Sequence, residues 1–194
     1  MTVSSLPPAR VLLMGMMGAG KTTVGAALSR RTGWPYLDND ELVRRGAGID
    51  TRGVLDQRGV GALRFVERQA LSAALIAEPP VIAAVAGGIV EDDADLERLR
   101  TGGYVVWLRA ALDTLVARVG PGLDRPWLQP DPRTALAALY AGRAERYARA
   151  ASLAVDVDAL SPEEIAERIV AGLRGRAGGA SGRAVSRGRV APDE

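Results

Sequence analysis

Arg10-Val11-Leu12-Leu13-Met14-Gly15-Met16-Met17-Gly18-Ala19-Gly20-Lys21-Thr22-Thr23 decides the reading of this chain. The first five residues form an apolar run of strand length, and Gly15–Thr22 then fits G-x-x-x-x-G-K-[ST], the phosphate-binding loop. Glycines let successive backbone N–H groups curl around a phosphate chain without Cβ clashes, and the next helix aims its positive dipole end at the same anion. Lys21 is the chain's one lysine among 25 Lys+Arg residues. A sequence that otherwise uses Arg for every cation keeps Lys where a compact point charge is wanted and a planar guanidinium would crowd the cradle. The Thr22 hydroxyl is the expected Mg²⁺ ligand of such a loop.

Composition narrows the chemistry. The chain has 194 residues and is 47% hydrophobic, enough for one domain with a sizeable core. It contains no cysteine and no histidine, which removes thiol nucleophiles, thiolate zinc sites and imidazole acid–base catalysis. Chemistry must run on carboxylates, Arg, Lys21, backbone amides and a hard cation. No apolar run approaches the roughly 18 residues of a membrane span, and no secretion-signal pattern opens the chain, so the expectation is a cytoplasmic protein. The basic character is local. Arg174, Arg176, Arg183, Arg187 and Arg189 against Asp193 and Glu194 give residues 174–194 a charge of +3, which leaves −1 for residues 1–173 out of the chain's +2. That Gly/Ala/Ser/Arg stretch is expected to be a disordered basic tail on a domain spanning residues 1–173, and a solvated tail is favoured over a nucleic-acid arm.

Apolar runs alternate with helical patterns, which predicts an α/β fold with a parallel sheet. Strands are expected at Arg10–Met14, Pro35–Leu37, Pro80–Val85, Tyr104–Leu108 and Leu153–Asp156. Helices are expected at Lys21–Thr32, Glu41–Arg45, Arg52–Gln57, Ala62–Ile76, Asp93–Arg100, Ala111–Val119, Arg133–Ala150 and Pro162–Leu173, the last with a Ser161/Glu164 capping box. The Gly/Pro-rich segment near residues 119–132 has the length and composition of a lid.

Other clusters gather at the predicted C-terminal edge of the sheet, where open α/β sheets bind ligands. Asp38 and Asp40 follow the second strand. Read as extended chain, they point the same way, so Asp38 can hold Mg²⁺ through water while Asp40 accepts a hydrogen bond from a substrate hydroxyl. The competing reading makes one of them a helix N-cap. Arg64 and Glu67 share a helix face at i,i+3, and by spacing alone they read as a surface ion pair. Ala86-Gly87-Gly88 either brings bare backbone to a ligand or is a plain strand-to-helix turn. Arg125 sits in the Gly/Pro segment, either as a lid arginine that stabilises a transferring phosphoryl group or as a solvated loop residue. Arg143 and Tyr147 lie one turn apart, and by pattern alone Arg143 reads as a surface charge.

Taken together these residues resemble shikimate kinase over about residues 9–173. The matching elements are the Gly15–Thr22 loop, Leu37-Asp38-Asn39-Asp40, Leu63-Arg64 with Glu67, Gly87-Gly88, Arg125-Pro126 with Leu128, and Arg143 with Tyr147. The resemblance implies a P-loop kinase fold with a five-stranded parallel sheet of order 2-3-1-4-5, and ATP-dependent phosphorylation of the 3-hydroxyl of shikimate with Mg²⁺. It implies nucleotide contacts from Gly15, Gly18, Ala19, Gly20, Lys21, Thr22, Thr23 and Arg118, with Thr22 and Asp38 at the metal. It implies substrate contacts from Asp40, Arg64, Gly87, Gly88 and Arg143, with the two arginines gripping the substrate carboxylate. Lys21, Asp40 and Arg125 would carry catalysis, in a monomer that acts on a small molecule without a membrane or nucleic acid. Two departures stand out. The family's triple glycine reads Ala86-Gly87-Gly88, and the acid usual before its Phe-Arg pair is missing from Gly59-Val60-Gly61-Ala62-Leu63-Arg64. The alternatives are a kinase of another cyclitol or polyol acid, or a non-catalytic nucleotide-binding relative.

Overall fold

In the computed structural model, which describes residues 6–120, 128 and 130–181, the apolar runs form the centre. Strand β1 (Arg10–Met14) lies between β3 (Val81–Ala84) and β4 (Tyr104–Arg109), with β2 (Tyr36–Leu37) and β5 (Leu153–Asp156) at the edges. All four pairings are parallel, and the order is β2-β3-β1-β4-β5. Leu12 aligns with Ala83 on one side and Val105 on the other. Val11, Leu12, Leu13 and Met14 are fully buried, as central parallel strands covered on both faces must be.

The helices are α1 (Lys21–Thr32), α2 (Asn39–Ala47), α3 (Thr51–Ile76), α4 (Asp93–Gly102), α5 (Leu112–Val119), α6 (Pro132–Ala150) and α7 (Pro162–Ser181). A main core runs from the sheet to α1, α6 and α7. A second cluster of Val43, Val54, Leu63, Val66 and Ala70 joins α2 to α3, so this pair forms its own small lobe beside the sheet's C-terminal edge. The capping box holds: Glu164 N–H donates to Ser161 Oγ at 3.2 Å and Ser161 N–H to Glu164 Oε2 at 2.8 Å.

Beyond shifts of one or two residues at element ends, the structure departs from expectation in four places. The two helices expected at Arg52–Gln57 and Ala62–Ile76 belong to one element, α3, broken at Gly59 with φ 79° and ψ 177°. Helix α2 starts at Asn39 with Asp38 as its N-cap, so Asp38 and Asp40 are not presented by strand alternation. The turn after β3 is a 3₁₀ helix, Gly87–Glu91. Helix α7 runs on to Ser181, so the stretch after Leu173, expected to be disordered tail, begins as helix. Arg176 on that extension stacks over the Tyr104 ring, 5.8 Å from its centroid, which gives the added turns something to pack on. Residues 182–194 and most of the expected lid, including Arg125, lie outside the described residues.

Candidate active site

A cleft of about 850 Å³ opens at the C-terminal ends of β1, β2 and β3. The phosphate loop forms one wall. Gly15 takes φ 148°, and a Cβ there would sit 2.6 Å from the Leu108 carbonyl oxygen, so only glycine lets the chain leave β1 this close to β4. Gly18 and Gly20 also have positive φ, and Gly20 is the left-handed N-cap of α1. Ala19 is buried, and its N–H donates to the Met16 carbonyl at 3.1 Å, closing the loop. Lys21 lies across it, with Nζ donating to the carbonyls of Gly15 at 2.9 Å and Met16 at 3.2 Å. Gly18, Gly20, Lys21, Thr22 and Thr23 line the cleft. Arg118, at the end of α5, reaches the Gly18 carbonyl at 3.3 Å and lines the same cleft.

Asp38 does two things at once. Its Oδ1 accepts from Asp40 N–H at 2.9 Å and caps α2, while Oδ2 accepts from Thr22 Oγ1 at 2.9 Å and from Tyr36 OH at 2.8 Å. Asp38 therefore caps α2 and also lines the cleft, so the two readings do not exclude one another. Burial pushes its pKa up, but the donors from Tyr36, Thr22 and the backbone outweigh it and hold the carboxyl below its ordinary range. Tyr36 was not anticipated as a site residue. Burial and the neighbouring Asp38 keep its phenol protonated, so it remains a donor. Its ring lies over Gly25, where a Cβ would meet Tyr36 Cε2 at 2.2 Å. Gly25 in mid-helix was the available signal, since helices rarely keep glycine unless something presses on it. Thr22 and Asp38 offer one hydroxyl and one carboxylate, a donor set that fits Mg²⁺, which takes few protein oxygens and completes its shell with phosphate and water. Among the described residues there is no cluster of three or more His, Cys, Asp or Glu able to hold a metal alone.

Across the cleft, Asp40 Oδ1 accepts from Thr51 Oγ1 at 3.1 Å and Asn39 Nδ2 at 3.2 Å. Arg64 Nη1 donates to Glu67 Oε2 at 2.7 Å and Nη2 to Glu91 Oε2 at 2.8 Å. Arg143, only 6% exposed, donates from Nε to Glu91 Oε1 at 2.7 Å. The pattern-only readings of Arg64 and Arg143 as surface charges fail because both face the cleft and α6 packs Arg143 inward. Burial pushes the Glu67 carboxyl up, against the pull of Arg64 and Arg143. Gly87 and Gly88 need glycine for space. A Cβ on Gly87 would lie 2.9 Å from the Gly15 carbonyl oxygen, and neither residue has positive φ. Tyr147 OH donates to the Gly87 carbonyl at 2.8 Å, and burial pushes that phenol up to about 12. Ala86 has φ −61° and lines the cleft, so its methyl costs no backbone strain. Val60, where no acid stands, also lines the cleft and is 60% exposed. Thr51 and Glu91 were missed by sequence reasoning, since neither sits in a motif and their partners are remote in the chain.

One wall of this cleft suits a phosphate chain, and the other suits a small anionic acceptor. The chain is similar to known proteins over most of its length. Residues 17–174 match the family model for shikimate kinase. A shikimate kinase of Frankia casuarinae is 37% identical over 84% of this chain and 72% of its own length, and one of Moorella thermoacetica is 35% identical over 86% and 95%. A shikimate kinase from Acinetobacter baumannii, solved in complex with shikimate, superposes with a TM-score of 0.82 at 26% identity, over 89% of this chain and 95% of that one. A gluconokinase from Sinorhizobium meliloti, at 20% identity and a TM-score of 0.53, shares the fold alone. A match over residues 17–174, with relatives this similar over most of their length, means that the chain belongs to the shikimate kinase family.

Proposed function

We infer that this protein transfers the γ-phosphoryl group of ATP to a hydroxyl of shikimate, the 3-hydroxyl by family likeness, in aromatic amino-acid biosynthesis. The observation that carries the reading is the convergence of Arg64 and Arg143 on one side of a cleft whose other side is the phosphate loop, with Asp40 also on its lining. Two guanidinium forks suit a carboxylate, and the bare backbone of Gly87-Gly88 lets a ring approach closely.

Phosphoryl transfer asks the protein mainly for positioning and charge neutralisation. The loop amides on the cleft side, at Gly18, Gly20, Lys21 and Thr22, cradle the β- and γ-phosphates, and Lys21 exchanges its loop carbonyls for phosphate oxygens. Arg118 flanks the nucleotide. Thr22 and Asp38 would hold Mg²⁺, which would supply neutralisation of the phosphate charge. Asp40 accepts the hydrogen bond of the attacking hydroxyl, aligns its oxygen and takes its proton as the bond to phosphorus forms. Arg64 and Arg143 fix the acceptor carboxylate, with Glu67 holding Arg64. By family likeness Arg125, which lies outside the described residues, would neutralise charge on the transferring group. Each of these roles is filled within one chain, which suits a monomer, and the demand for ATP suits the cytoplasm.

The test is ATP consumption with a panel of acceptors: shikimate, quinate, gluconate and neutral cyclitols. Shikimate is expected to give the highest kcat/KM. A neutral cyclitol turned over faster would overturn the acceptor assignment, and no turnover with any acceptor would leave only nucleotide binding.

A further inference from the structure

Glu91 is the terminal residue of the 3₁₀ helix that begins at Gly87, and no motif singles it out. Both of its carboxylate oxygens are used, each by a different arginine. Oε1 accepts from Arg143 Nε at 2.7 Å and also from Nη2, while Oε2 accepts from Arg64 Nη2 at 2.8 Å. The two arginines come from α6 and α3, 79 positions apart in the chain. Arg64, Glu67, Gly88 and Arg143 line the cleft, whereas Glu91 is not part of its lining. The carboxylate therefore joins two guanidiniums that line the cleft without itself entering the lining. Each guanidinium carries five N–H donors, so both keep donors for a ligand.

The element that carries Glu91 is itself pinned. Arg146 Nη1 donates to the Val90 carbonyl at 2.9 Å and to Asp93 Oδ1 at 2.7 Å, and Tyr147 holds the Gly87 carbonyl. Two guanidiniums drawn toward one place repel, and Arg143 is buried, where an uncompensated charge is costly. Glu67 and Glu91 together supply the two negative charges that make this arrangement neutral before a substrate arrives.

We propose that Glu91 is a positioning residue for the acceptor site: it ties Arg64 to Arg143 and so sets the spacing of the forks that receive a carboxylate. The proposal rests on the acceptor reading given above. Its chemistry is specific, because both oxygens must accept. An amide has one acceptor oxygen and would turn an N–H toward one of the two arginines.

The experiment compares wild type with Glu91→Gln and Glu91→Asp, using shikimate and its carboxamide analogue as acceptors, with Tm as the check on folding. Glu91→Gln is expected to raise the KM for shikimate about tenfold or more, the scale of losing a charge-assisted hydrogen bond. The kcat, the KM for ATP and the KM for the carboxamide should stay as in wild type. Glu91→Asp, with both oxygens on a shorter stem, should fall between wild type and Gln. An unchanged shikimate KM in Glu91→Gln would overturn the proposal. So would a lower one, since it would mark Glu91 as a competitor for the forks. An equal rise for both acceptors, or an Asp variant no better than Gln, would reduce Glu91 to a structural residue and overturn it too. If wild type fails to phosphorylate shikimate at all, the acceptor reading itself falls, and that outcome is separate from any effect of Glu91.

Discussion

The Arg64 guanidinium is seated against the α-carbon of Gly88: a Cβ on Gly88 would lie 2.1 Å from Arg64 Nη1 and 2.5 Å from Cζ. Gly88 has no positive φ, so the demand for glycine here is wholly steric. Gly88→Ala should push the guanidinium out of place at an overpacking cost of about 1–3 kcal/mol. Steady-state kinetics should show a higher acceptor KM and an unaltered KM for ATP. A wild-type acceptor KM in this variant would mean that Arg64 does not bind ligand from this seat.

Arg64→Ala and Arg143→Ala should each weaken acceptor binding by about 1.5–3 kcal/mol, as expected for a lost hydrogen bond to a charged group. Nucleotide affinity should be unaffected. The two should separate on stability: Arg143 is buried, while the Arg64 side chain is 30% exposed, so Arg143→Ala should lower Tm more. Calorimetry alongside acceptor KM values checks both points.

Lys21→Ala should reduce turnover by about 10²–10³-fold, going by the loss of one preorganised electrostatic group. Lys21→Arg should fail as well, because Nζ fits between the Gly15 and Met16 carbonyls of a closed loop. Both variants should melt near the wild-type temperature. Activity of Lys21→Arg close to wild type would refute the steric argument.

Asp38 gives a pH prediction. Its folded pKa is depressed, so its contribution to stability is fully present above the unfolded value of about 3.9 and is lost as pH falls toward the folded one. Tm of the wild type should drop on acidification below about pH 4. Asp38→Asn should lack that part of the drop. Tyr36→Phe removes one donor and should shrink it. Melting curves from pH 3 to 7 on the three proteins decide the matter.

Arg176→Ala should cost about 0.5–1 kcal/mol through loss of its contact with the Tyr104 ring. Turnover should not change, because Tyr104 begins β4 at the end of the sheet opposite the cleft. Urea denaturation and a standard assay check the two halves.

The phosphate loop, the five strands and most helices were legible in the chain because each is written in contiguous residues. Buried parallel strands are unbroken apolar runs, and a loop that cradles phosphate needs its glycines, Lys21 and Thr22 within one short segment. The sheet order was available only through family likeness, since nothing local says which strand neighbours which. The structure alone decided the rest, and in each case the deciding contact is long-range or competes with a local preference. Asp38 caps a helix and lines the cleft together because its two oxygens face different partners. Arg143 reads as a surface charge along its own helix and is buried only because α6 packs against the turn after β3. Gly25 and Gly88 answer to Tyr36 and Arg64, side chains that arrive from other elements. Glu91 joins arginines 27 residues before it and 52 after it, and a carboxylate's role in such a junction exists only once the chain has folded around it.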